Sequence, residues 1–140
     1  MERRRRVWAF AAYCAVLAML LFGRAQRAGV VNLRPMETVC RYLRLLRGDY
    51  RLKLRLIAAV NLVGNVVLFM PLGYFLPRLW PKVRRLWRCM LLGAVVVLSV
   101  ELVQLMGQVG SCDVDDVLLN LPGVAVGYGL YRLTARFDKK

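Results

Sequence analysis

Four apolar stretches fenced off by arginine constrain this chain more than any other feature: residues 7–23, 56–76, 86–106 and 117–133. A bilayer core takes about 20 apolar residues in helical form and no fewer than about 17. The second and third stretches meet that length outright. The first and last reach it with snorkelling arginines at their ends, Arg6, Arg24 and Arg132. Trp8, Trp80, Trp87 and Tyr131 stand at the margins, where an aromatic belt is expected. The reading is an all-α membrane protein, one bundle of four transmembrane helices over the 140 residues.

Composition agrees and removes several function classes. Apolar residues make up 59% of the chain although 21% is charged, a balance that disorder does not produce. There is no histidine, which removes Ser-His and Cys-His catalytic pairs and imidazole-ligated zinc. The net charge of +14 fits either nucleic acid or anionic headgroups. Because the basic residues fall between apolar stretches rather than along one basic helix, the expected partners are membrane lipids and not nucleic acid. Neither a cofactor motif nor a metal-ligand spacing is present.

The basic N-terminus followed by an apolar run also fits a secretory signal, but Gly23, Arg24, Ala25, Gln26, Arg27 offers no small-x-small cleavage site. An uncleaved anchor is expected. The positive-inside bias then orients the bundle. Four basic residues, Arg3 to Arg6, precede the first stretch, five lie between Pro77 and Arg88, none between Gly107 and Asp116, and four from Arg132 onward. This places both termini in the cytoplasm. The segment from Arg24 to Arg55 opposes it, with nine basic residues on the outer side. Within that segment Met36, Val39, Cys40, Leu43 and Leu46 recur at helical spacing, opposite Glu37, Arg41, Arg44 and Arg47. Pro35 can open such a helix and Gly48 close it. A short amphipathic helix over 36–47 is expected, lying flat at the interface or packed on the end of the bundle.

Polar side chains inside apolar stretches usually face the bundle interior, because lipid solvates them poorly. Here Asn61 and Asn65 share a helix face, as do Glu101 and Gln104, and Asp113, Asp116 and Asn120. With alternating helix directions all of them fall in one half of the bilayer, Asn61 and Glu101 about 7 Å inside it at about 1.5 Å per residue. Interhelical hydrogen bonds account for the amides at about 0.6 kcal/mol each. An intramembrane carboxylate such as Glu101 is by contrast a functional candidate. Asp113, Asp115 and Asp116 are read as caps or loop charges, with Asp113 or Asp116 opening the last helix. Pro71 is expected to kink the second span and Gly73 to ease the bend. Gly123 and Gly127 form a small-xxx-small face for close helix contact. Cys40 and Cys112 are the one pair able to form a disulfide on the outer side.

Asn65-x-x-Leu68-Phe69-x-Pro71-x-Gly73, then Glu101-x-x-Gln104, then Asp113-x-Asp115-Asp116-x-x-x-Asn120-x-x-Gly123-x-x-x-Gly127-Tyr128 resembles the VanZ-like family, and the upstream Asn32-Leu33-x-Pro35 fits as well. The resemblance spans roughly residues 30 to 130. Two positions depart from it: Gly110 stands where many members carry arginine, and Pro122 where an aliphatic residue is expected. The resemblance implies a small multispanning protein of the bacterial cytoplasmic membrane, from a family whose namesake is linked to low-level teicoplanin resistance.

Two function classes follow. In the first, a nonenzymatic envelope factor binds or shields a lipid-linked cell-wall precursor or glycopeptide through Asn61, Asn65, Glu101, Gln104, Asp113, Asp116 and Asn120. In the second, a membrane enzyme uses Glu101 or Asp116 as acid or base on a lipid-linked envelope substrate. The lack of a nucleophile, metal set or cofactor motif favours the first.

Overall fold

The computed structural model describes residues 2–23, 31–32, 34–107 and 112–137. It is helical: α1 (Glu2–Phe22), α2 (Glu37–Arg47), α3 (Leu52–Leu79), α4 (Leu86–Gly107) and α5 (Val114–Phe137). A 3-10 turn at Pro81–Val83 joins α3 to α4. Two short strands, β1 (Val31–Asn32) and β2 (Cys112–Asp113), pair in parallel, Val31 opposite Cys112 and Asn32 opposite Asp113. Nothing in the apolar pattern announces this pairing, because two residues are too few to show a period.

Helices α1, α3 and α4 are long and apolar enough to cross a membrane. The 24 residues of α5 are interrupted by Asn120, Pro122 and three glycines, and it is less hydrophobic than α3 and α4. Both the core and the surface of the bundle are apolar. Phe69, Leu72, Leu76, Val97 and Val124 are buried, while Val60, Val63, Val67, Leu91, Leu98 and Leu102 are exposed on the outer faces of α3 and α4. In water such a surface would aggregate, whereas hydrocarbon solvates it.

The core is built on α3 and α5, which run parallel. A methyl group on Gly123 would lie 2.2 Å from the carbonyl oxygen of Val66, and one on Gly127 1.9 Å from that of Met70. In return, a methyl on Gly73 would lie 2.0 Å from the carbonyl oxygen of Val124. The small residues thus admit backbone against backbone, the arrangement that favours helix association where lipid removes the hydrophobic drive. Gly73 makes this contact, and α3 continues as helix through both Pro71 and Pro77. Helix α4 packs on α5 through Gly93, which faces the Val124 side chain, and Cys89 and Val97 are buried on the same face. Helix α1 contributes one buried residue, Leu17, and is tied to α3 by the Tyr13 hydroxyl, which donates to the Leu68 carbonyl at 2.9 Å.

Several sequence expectations need correction. Helix α3 starts one turn before residue 56 and ends beyond 76, at Leu79. Tyr131 is not part of an outward belt: it is buried, 5.8 Å from the ring of Tyr128, whereas Trp8, Trp80 and Trp87 are exposed. Pro35 does not begin α2. It lies in a turn, and Met36 follows in the left-handed region at φ 67° before the helix opens at Glu37. Cys40 is a free thiol, as are Cys14 and Cys89, and the side chain of Cys112, the other half of the expected disulfide, lies outside the described residues.

Candidate functional site

The middle of α3, the end of α4 and the start of α5 meet on the side of the bundle opposite Arg6. At its centre Asn65 of α3 donates from Nδ2 to Asp116 Oδ1 of α5 at 3.1 Å. One turn further along α5, Asn120 lies on the same face and is 4% exposed. No hydrogen-bond partner among the described residues reaches its Oδ1. A buried amide oxygen left in this state costs roughly 1–3 kcal/mol and calls for an explanation.

Glu101 approaches from α4. Cys89, Gly93, Val97 and Glu101 form a buried stripe at four-residue intervals, and Gly93 is level with Val124. Because α4 and α5 are antiparallel, eight residues toward this pole lead from Gly93 to Glu101 and from Val124 to Asp116, about 12 Å in each case. Glu101 and Asp116 therefore stand at one level of the bundle, with Glu101 6% exposed.

The other candidates are differently engaged. Asn61 turns back on its own helix, donating to the Ile57 carbonyl at 2.7 Å. Gln104 reaches α1 and donates to the Leu21 carbonyl at 3.1 Å, joining the first helix to the third span. The side chain of Asp113 lies outside the described residues, although its backbone pairs with Asn32. Pro71 lies within α3 near the glycine contact.

The residue that sequence reasoning undervalued is Asp115. It is wholly buried and accepts hydrogen bonds from the backbone N–H groups of Met36 (2.5 Å), Thr38 (2.6 Å) and Val39 (3.1 Å). A carboxylate at this position satisfies orphan donors and complements the helix dipole, but the helix is α2 and not its own. Asn32 completes the connection: its Oδ1 accepts from the Arg34 N–H at 3.1 Å and its Nδ2 donates to Thr38 Oγ1 at 3.2 Å. The Asn32-Leu33-x-Pro35 and Asp113-x-Asp115-Asp116 motifs are thus two halves of one lock. The spacing of the first to the helix start at Glu37 was the available clue.

Among the described residues no group of three Cys, Asp or Glu side chains is placed to hold a metal ion. A hollow of about 550 Å³ runs beside α2, lined by Cys40, Leu43, Arg44, Arg47, Gly48 and Tyr50, and takes in none of the polar cluster.

An apolar exterior around a bundle with buried carboxylates and amides at one pole defines a helical protein of the membrane class. The chain belongs to the VanZ/LLP1 family, whose sequence model matches residues 10–135. Neither the curated proteins nor the solved structures contain a match.

Proposed function

We propose that the chain is a nonenzymatic factor of the bacterial cytoplasmic membrane which binds or shields a lipid-linked cell-wall precursor or a glycopeptide at the outer face. In this reading α5 is a fourth span, both termini are cytoplasmic, and α2 lies along the outer interface. The balance of charge favours the orientation. Eleven described basic residues, Arg3 to Arg6, Arg78, Lys82, Arg84, Arg85, Arg88, Arg132 and Arg136, belong to one end of the bundle, against seven, Arg34, Arg41, Arg44, Arg47, Arg51, Lys53 and Arg55, at the other.

The observation that carries the proposal is the Asn120 carbonyl oxygen, buried and unmatched one turn from Asp116. Such an acceptor fits a hydroxyl or amide N–H of the kind that sugars and peptides supply. Asp116, one turn before it on the same helix face, is bonded to Asn65, and helix packing alone gives no reason to keep Oδ1 without a donor.

Cells with and without the gene, compared for teicoplanin susceptibility, test the reading. Glu101→Gln and Asn120→Leu are expected to remove the difference while membrane abundance holds. Wild-type susceptibility from both variants at equal abundance would leave only passive packing. Turnover of a lipid-linked substrate that depends on Glu101 would replace binding by catalysis.

A further inference from the structure

At the pole opposite the polar cluster, α1, the end of α3, the α3–α4 connection and the end of α5 enclose a cavity of about 390 Å³. Arg6, Arg78, Arg84, Arg132 and Arg136 line it, together with the buried Tyr131. Among the described residues no carboxylate lines it. Glu2 pairs with Arg6 at 2.8 Å, and Arg84, Arg132 and Arg136 stand on the wall beside Arg78.

Like charges brought together from four segments repel one another, so the arrangement needs a counter-anion or a solvent-filled opening. It is also held in place. The Arg78 guanidinium donates to Thr134 Oγ1 at 2.7 Å and lies 4.7 Å over the ring of Tyr74. The Arg84 carbonyl accepts from the Tyr128 hydroxyl at 2.7 Å, which fixes the connection that carries this arginine. Planar guanidinium forks positioned in this way match phosphate oxygens.

The level of the cavity distinguishes a lipid from a free ion. Trp8, Trp80 and Trp87 are all exposed at this same end, and Phe10 packs edge-on against Trp80 at 5.8 Å. Exposed tryptophans of a membrane-class bundle lie at the headgroup level, so the arginines open where lipid phosphates are concentrated.

We propose that this arginine-lined cavity binds the phosphate of an anionic phospholipid headgroup. The occupant docks between the helix ends, with its acyl chains running down the exposed apolar flank and its phosphate against Arg78, Arg84, Arg132 and Arg136.

The full chain purified in detergent, titrated with phosphatidylglycerol or with phosphatidylcholine, is read by native mass spectrometry as the fraction carrying lipid. Phosphatidylglycerol is expected to bind more tightly than phosphatidylcholine, and Arg132→Gln with Arg136→Gln to weaken it roughly 30-fold. Both arginines are exposed, and Arg84→Gln, which keeps the backbone bond to Tyr128, provides a second variant that spares the fold. Arg3→Gln with Arg4→Gln removes the same charge from the same end outside the cavity, and is expected to leave binding within a factor of a few. Equal weakening in that control would show diffuse attraction and overturn the site. Displacement of phosphatidylglycerol by equimolar inorganic phosphate would assign the cavity to a free anion and overturn the lipid. Retained binding in both cavity variants would overturn the proposal outright.

Discussion

Asp115 holds the backbone N–H of Thr38 at 2.6 Å across 77 residues of sequence, joining the start of α5 to the start of α2. The same carboxylate takes the N–H of Met36, a non-glycine residue in a left-handed conformation that costs about 1–2 kcal/mol. Three charge-assisted bonds outweigh that cost, so the strained turn persists.

Asp115→Asn is the sharpest test of this lock. The amide keeps one acceptor oxygen and turns an NH2 donor toward backbone donors, a loss of about 2–4 kcal/mol. A lower melting temperature in detergent is expected, with faster hydrogen exchange at Met36, Thr38 and Val39. Unchanged exchange at those amides would show that α2 is held elsewhere.

Gly127→Ala is expected to destabilise the protein by about 2 kcal/mol or more, because the added methyl meets the Met70 carbonyl oxygen and forces α3 from α5. Gly129→Ala is the matched control. Nothing lies within 4 Å of its added methyl, and helix propensity favours alanine by up to about 1 kcal/mol. Opposite signs in thermal unfolding are the expected result; equal shifts would remove the close-contact account.

A double-mutant cycle of Asn65→Leu and Asp116→Leu measures the bond between the two helices. A coupling of about 1–2 kcal/mol is expected, above the membrane average because the acceptor is a carboxylate. Additive single effects would mean that the two side chains are near each other without mutual stabilisation.

Much of this architecture was legible because lipid demands long apolar runs, which leave a plain trace in sequence. The ends of the runs were less legible. Arg78 reads as a span boundary, yet its bond to Thr134 lies within the helical end of α3. Asn61 and Asn65 share a face by spacing, but spacing cannot reveal that Asn61 finds its partner at Ile57 on its own helix. Three aspartates within four positions offered equivalent local caps. Which one turns inward depends on a helix end brought from far up the chain, so Asp115 could not be told from Asp113 and Asp116. Tyr131 at an apolar margin has an interfacial chemistry, and only the position of Tyr128 beside it shows that it faces the core.

Cys40 provides the topological test, since it is exposed on α2 at the pole away from Arg6 and Arg78. With the other three cysteines replaced, a membrane-impermeant thiol reagent added to intact cells is expected to label it. Labelling that requires opening the cytoplasm would invert the proposed orientation.

The mutual fit of Gly73, Gly123 and Gly127 bears on the order in which the bundle is made. During synthesis α3 enters the membrane well before α5, so its closest neighbour does not yet exist and the grooves beside Val66 and Met70 are filled by acyl chains. Helix α4 must wait too, since Gly93 and Val97 pack toward a helix still to come. Helix α5, made after α3 and α4, therefore acts as the keystone: its arrival closes the grooves, gives Asn65 its carboxylate and delivers Asp115 to α2. Until then α1, α3 and α4 have links such as the Tyr13–Leu68 and Gln104–Leu21 hydrogen bonds but lack the helix around which they pack.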